Sequence, residues 1–178
     1  MSKTSRKTRV RLGAVLAAAT AVGLLAWLLL DGDSPSTSTG EAEIVTVDSL
    51  RETAATQGAP IYWAGPQDGA ELELSQPEAG RTYVRYLTDG AGAGDPRPFL
   101  TVGSYAFPSP VSALRRQGKQ SDGVLATAPG GGTVYFNRDQ PRSVYLAYPG
   151  VDIQIEVYDP DFQRALQLVN SGQIVPAS

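Results

Sequence analysis

Apolar residues follow two distinct patterns along the 178-residue chain. The first is one unbroken run, LGAVLAAATAVGLLAWLLL from Leu12 to Leu30, with no charge and Thr20 as its single polar side chain. At 1.5 Å per residue a helix of this length reaches about 28 Å, close to the roughly 30 Å hydrocarbon thickness of a bilayer, and the run predicts a transmembrane helix. The second pattern begins after Glu43 and consists of short runs separated by Gly and Pro, several alternating apolar with polar. Alternation of period two predicts strands with one face inward.

Ile44 to Val47 is a short extended lead-in, Ile61 to Ala64 (IYWA) a strand by composition, and ELELS at 71–75 a half-buried strand with Leu72 and Leu74 inward and Glu71 and Glu73 outward. Arg81 to Thr88 puts Tyr83, Arg85 and Leu87 on one face and Val84 and Tyr86 on the other, and forms a hairpin with 71–75. Phe99 to Phe107 is a strand expected to end near Gly103. Gly123 to Ala128, Thr133 to Asn137 and Ser143 to Tyr148 follow. Val151 to Tyr158 is the clearest strand: Val151, Ile153, Ile155 and Val157 alternate with Asp152, Gln154, Glu156 and Tyr158, and Pro149-Gly150 makes it a hairpin with the strand before. The polar sides are expected to face solvent.

Three helices interrupt the strands. Asp48 or Ser49 starts a helix running to Gln57 and stopped by Gly58, and Ser49 with Glu52 fits a capping box at its head. Ser112 to Gln117 is a short helix with Arg115 and Arg116 exposed. The last helix starts from Asp159 or Asp161, buries Phe162, Ala165, Leu166 and Val169, and stops at Gly172. The order helix, strands, helix, strands, helix hints at a two-fold repetition without a repeated residue pattern. The fold class expected is α+β: an N-terminal transmembrane helix, then one domain of mostly antiparallel strands with three short helices.

Charge gives the chain a direction. Lys3, Arg6, Lys7, Arg9 and Arg11 precede the apolar run with no acid among them, and all 18 acids follow it against the other ten bases, a net charge of about −8. Basic flanks stay cytoplasmic, so residues 1–11 form a cytoplasmic tail, 12–30 a cell-membrane anchor, 31–43 (DGDSPSTSTGEAE from Asp31) a flexible linker, and 44–178 an extracytoplasmic domain. A cleaved signal peptide has a shorter apolar core ending in small residues. Trp27, Leu28, Leu29 and Leu30 are bulky there, which favours retention as a signal-anchor. An acidic exported portion argues against nucleic acid as a partner. The bilayer is contacted through the N-terminal helix, and other partners are expected among proteins or cell-envelope material.

Candidate chemistry is narrowed by what the composition lacks. The chain has no Cys and no His. That excludes disulfides, a lipidated cysteine anchor, histidine-assisted nucleophiles and the usual zinc and haem sites, and no cofactor or metal is expected. Lys119, the only lysine after residue 30, has no Ser three residues before it. The loop DGAGAGDPRP from Asp89 matches no phosphate-binding motif. Asp89, Asp95, Asp159 and Asp161 offer oxygen ligands but no calcium-loop pattern.

Two readings remain. In the first, aromatics too numerous to be buried by alternation alone, with nearby arginines, make a binding surface, and Tyr83, Arg85, Tyr86, Arg115 and Arg116 are its candidate residues. In the second, carboxylates pair for hydrolysis, with Glu71, Glu73, Asp152 and Glu156 as candidates. Asp152 and Glu156 lie about 13 Å apart along one strand face, so a pair needs a partner from another strand.

The strings IYWAGP, TYVRYLTDG, DPRPFLTVGSY and YLAYPGVDIQIEVYDPD resemble an uncharacterised family of small membrane-anchored proteins from high-GC Gram-positive bacteria. The likeness spans Leu50 to about Val169. It implies a bacterial exported domain and brings no activity or catalytic residues with it. The function expected is a membrane-anchored extracytoplasmic binding or structural module; the alternative is a cell-envelope hydrolase using paired carboxylates.

Overall fold

The computed structural model describes residues 42–177. The basic tail, the predicted membrane helix and almost all of the linker lie outside the described residues. Among the described residues no helix is long and apolar enough to cross a membrane.

The domain is α+β, with three helices and a mostly antiparallel arrangement of strands. In chain order the elements are β1 (Glu43–Val45), α1 (Val47–Thr56), β2 (Tyr62–Trp63), β3 (Glu71–Ser75), β4 (Arg81–Leu87), β5 (Thr101–Ala106), α2 (Pro110–Gln117), β6 (Gly123–Ala128), a 3-10 turn (Pro129–Gly131), β7 (Gly132–Asn137), β8 (Ser143–Ala147), β9 (Ile153–Tyr158), α3 (Phe162–Asn170) and β10 (Val175–Pro176). Eight strands form one antiparallel sheet in the order β1-β3-β4-β5-β9-β8-β7-β6, and β2 pairs separately with β10. Both expected hairpins form, β3 with β4 and β8 with β9. The large sheet divides into two antiparallel four-stranded groups, β1-β3-β4-β5 and β9-β8-β7-β6, that meet where β5 pairs with β9.

One face of the sheet carries the main core. Leu72, Leu74, Val84, Tyr86, Val102, Ile155, Val157, Val144, Leu146 and Val134 point to this side and are buried together with Leu50 and Ala54 of α1 and Ala165, Leu168 and Val169 of α3. The alternation read from the sequence groups Leu72 with Leu74, Val84 with Tyr86, and Ile155 with Val157, because successive side chains on a strand point to opposite faces; Val102, Val134, Val144 and Leu146 join them through the ladder register. The β2–β10 pair closes the same side. It hangs from the sheet by two buried bonds: the Tyr62 N–H donates to Ser104 Oγ (2.9 Å) and the Ala64 N–H to Tyr86 Oη (2.7 Å). Ile174 is buried beside it, whereas Val175 stays exposed.

Local starts and stops differ from expectation in several places: α2 begins at Pro110 rather than Ser112 and β9 at Ile153 rather than Val151, and the clearest differences are at α1 and β5. Helix α1 begins at Val47, and Thr46 is its cap, with Oγ1 accepting from the Ser49 N–H at 3.1 Å. Ser49 is thus the third helical residue rather than the cap, because β1 ends at Val45 and the chain must turn at once. Thr46→Ala is expected to lower stability by about 1 kcal/mol in thermal unfolding, with Ser49→Ala changing it far less. Strand β5 runs through Gly103 to Ala106 instead of ending there. A Cβ on Gly103 would come within 2.7 Å of Tyr105 Oη and 2.9 Å of its ring, so this glycine makes room for a side chain folded back along the strand. At the last helix, Asp161 is the cap and accepts from the Gln163 N–H. Gly172 ends that helix with φ +75°, a conformation that favours glycine.

The largest departure concerns the other face of the sheet, expected to be a solvated surface. Glu73, Arg85, Thr101, Gln154, Glu156, Tyr135 and Tyr145 are all buried there. Helix α2 packs against β7 and β8, and the 89–98 loop folds back to hydrogen-bond with Arg85 and Glu73. The sheet is therefore covered in part on both sides, and its second face holds several of the candidate charged and aromatic residues, among them Glu73, Tyr83, Arg85 and Glu156.

Candidate functional site

The register places these residues in rows across the second face. One row runs Glu73, Arg85, Thr101, Tyr158 across β3, β4, β5 and β9. The next runs Ser75, Tyr83, Gly103, Glu156, Tyr145, Tyr135 and Leu125, from β3 to the far edge at β6. Directly paired residues share a face, so these rows follow from the ladder alone.

Glu73 and Arg85 form a buried ion pair. Arg85 Nη1 donates to Glu73 Oε1 at 2.7 Å, and the two residues are 8% and 0% exposed. The remaining valences are filled by the glycine-rich loop. Arg85 Nη2 donates to the carbonyls of Asp95 (2.7 Å) and Arg97 (3.0 Å), and the Gly94 N–H donates to Glu73 Oε2 (2.6 Å). The Phe99 ring lies 5.4 Å from the Arg85 guanidinium and 5.3 Å from that of Arg97. Side-chain bonds from Arg97 hold the Asp95 carboxyl down to about 2. What reads as a loose surface loop is a clasp over a saturated charge pair. A guanidinium with its donors occupied on one side and a carboxylate with both oxygens taken leave little to offer a ligand.

Glu156 is the centre of the next row. It is 7% exposed and accepts from Tyr105 Oη (2.6 Å) at Oε2 and from Tyr145 Oη (3.3 Å) at Oε1. Tyr83 meets the Tyr105 ring edge-on at 5.7 Å, and Tyr135 lies 6.0 Å from Tyr145. Burial, followed by the negative charge of Glu156, raises the Tyr105 and Tyr145 phenols well above their ordinary value near 10. Both therefore remain protonated donors at neutral pH. No arginine or lysine pairs with Glu156 among the described residues. Gly103→Ala is expected to push the Tyr105 ring off Glu156 and lower stability by about 1–3 kcal/mol. In a Tyr105→Leu background the same change is expected to cost measurably less, a coupling that a double-mutant cycle of unfolding free energies reads directly.

The other candidates are dispersed. Tyr86 lies on the core face, 2% exposed, as the acceptor that holds β2. Arg115 and Arg116 stand exposed in the last turn of α2. Asp152 accepts from the Ser109 N–H (3.0 Å) and supports a residue at φ 55° that precedes α2. Glu71 is exposed at the start of β3. Glu73 and Glu156 are separated by three inter-strand steps and two residues along the sheet, roughly 16 Å between backbones, beyond the spacing of a hydrolytic pair. Asp159 is buried against Arg164 at 3.2 Å, and burial raises its carboxyl. Among the described residues no cluster of three or more acids is placed to hold a metal ion. A cleft of about 380 Å³ lies between Gln57–Pro60 and the β3–β4 turn, reaching Ser104 and Ile153, and it takes in none of the candidates named above.

The feature that sequence reading missed is the outer edge of the sheet at β6. This strand, GVLATA, carries no charge over six residues, and Leu125, Ala126 and Thr127 are exposed in succession. Its backbone polarity follows from one bond. The Arg138 N–H donates to the Asp122 carbonyl, so residues 122, 124, 126 and 128 point their backbone groups at β7. The N–H and C=O groups of Leu125 and Thr127 point outward, as does the Gly123 carbonyl, and no described strand lies beyond them. The opposite edge, β1, is three residues long and carries Glu43. Charge and shortness are common protections of an exposed edge, and β6 has neither. The absence of any charge from Gly123 to Ala128 was the signal available in the sequence.

Comparison with protein-family models, with curated proteins and with solved structures gives no match to this chain.

Proposed function

We propose that the chain is a single-pass membrane protein with a cytoplasmic N-terminus, whose exported domain is a non-enzymatic binding module held close to the bilayer. The observation that carries the binding role is the open, uncharged β6 edge in a domain whose buried ionisable groups are engaged by one another. An exposed sheet edge binds through main-chain hydrogen bonds and needs no pocket, which suits protein partners of the extracytoplasmic space. The anchor is supported by Leu12–Leu30 and the one-sided distribution of Lys3, Arg6, Lys7, Arg9 and Arg11. The resemblance to small membrane-anchored proteins of high-GC Gram-positive bacteria agrees with this placement.

The absence of cysteine makes the topology simple to test. Ser38→Cys in the linker is expected to react on intact cells with a membrane-impermeant thiol reagent. Ser5→Cys in the tail is expected to react only after lysis. Labelling of Ser5→Cys on intact cells, or release of the domain into the medium, would overturn the anchored reading.

A further inference from the structure

We propose that the partner of the β6 edge is a second copy of this chain, joined strand to strand across a two-fold axis at Leu125. The inference rests on the anchored reading above. Antiparallel pairing about Leu125 is self-complementary: Leu125 faces Leu125 of the copy, and Gly123 faces Thr127. In that register the outward groups of Leu125 bond to one another in both directions, and each Gly123 carbonyl accepts from the opposite Thr127 N–H. The Gly123 N–H is already donated to the Gln120 carbonyl and is not required. The side chains agree with the backbone. Leu125, 43% exposed, meets its own counterpart on the second face, and Val124 meets Ala126 on the core face. No charge lies between Gly123 and Ala128, so apposition of two identical strands brings no like charges together. Pro129, which has no N–H, falls beyond the last bond.

Strand length also selects this partner over a head-to-tail copy. Pairing β6 with β1 of another molecule would engage three residues of a strand bearing Glu43 and leave half of β6 open. The isologous contact closes on itself and uses the whole edge. One strand pair buries well under the roughly 800 Å² per partner of a stable complex, so the contact is weak between free domains. Confinement to one membrane, with the domains held at one height, raises the encounter of two chains above that of free domains, and this favours a contact that is weak in solution.

The test uses single-cysteine variants of the full chain reconstituted in phospholipid vesicles, treated with a short bifunctional thiol reagent. Leu125→Cys is expected to give cross-linked dimer at least about tenfold faster than Thr127→Cys, whose two copies stand about 14 Å apart along the strands, or than Asp68→Cys in a remote turn. Adding Ala126→Lys to Leu125→Cys places like charges across the contact and is expected to reduce cross-linking about tenfold, with the thermal midpoint of the chain unchanged. Equal cross-linking at all three positions, or none at Leu125→Cys, overturns the self-pairing. If Ser38→Cys is still labelled from outside in that case, the anchored reading survives and the self-pairing alone fails. If it is not, the anchored reading has failed as well.

Discussion

Arg85→Met is expected to lower the stability of the domain by about 3–5 kcal/mol, more than any other single change considered for the second face. Methionine fills much of the same volume, so the effect isolates charge. It leaves the Glu73 carboxylate, fully buried, with the Gly94 N–H as its one remaining partner among the described residues. It also deprives the carbonyls of Asp95 and Arg97 of their donor, so the clasp loop loses its hold on β4. Glu73→Leu is expected to be damaging for the converse reason, since it leaves a guanidinium held by two carbonyls alone. The double variant Glu73→Leu with Arg85→Met removes both charges together and is expected to recover most of the loss. Buried ion pairs are frequently replaceable as a unit though not one partner at a time. Denaturant unfolding of the four proteins measures the cycle. A double variant as unstable as the worse single one would mean that the loop bonds, and not the compensation of charge, hold this half of the sheet.

A second large effect is expected in alkali. Tyr62, Tyr83, Tyr86, Tyr105, Tyr135, Tyr145 and Tyr148 are all raised from the ordinary value near 10, each chiefly by burial. Unfolded tyrosines lose their protons near 10, whereas these keep them to higher pH. The sign follows: the contribution to stability is complete below about pH 10 and is lost as pH rises through the folded values. The chain is expected to unfold cooperatively in base, with tyrosinate absorbance rising in step with loss of the near-ultraviolet dichroism. Each buried tyrosine adds up to about 1.4 kcal/mol per pH unit to the steepness of that loss. Tyr105→Phe and Tyr145→Phe are each expected to make it shallower by about that amount. Gradual ionisation near pH 10 with the structure intact would contradict the burial assigned to these side chains.

Local patterns carried most of the fold. Alternation in ELELS and in the 151–158 segment identifies the inward residues, and Gly and Pro mark most turns, because both signals are local consequences of backbone geometry. The outward residues were misread for a non-local reason. A Glu or Tyr opposite an apolar face reads as solvated unless something else covers it. Here the cover comes from α2 and from a loop with no amphipathic signature. The Glu156 centre joins β5, β9 and β8, from residues up to 51 positions apart, and nothing in any one strand announces the others. Gly103 was the available clue: a glycine inside an otherwise regular strand marks a close approach, and here the approach is that of the Tyr105 ring. The edge position of β6 depends on the order of eight strands and lies beyond pattern reading. Its lack of charge does not.

The buried charges of the second face are engaged within the domain, and the proposed contact surface for a partner is the β6 edge. Amide hydrogen exchange of the full chain in vesicles, at low and high protein density, tests this most directly. At low density the outward amides of Leu125 and Thr127 are expected to exchange freely, while those of Val124 and Ala126, bonded to β7, are protected. At high density the Leu125 and Thr127 amides are expected to become protected and the others to stay as they were. Exchange at Leu125 and Thr127 that does not respond to density would contradict the account.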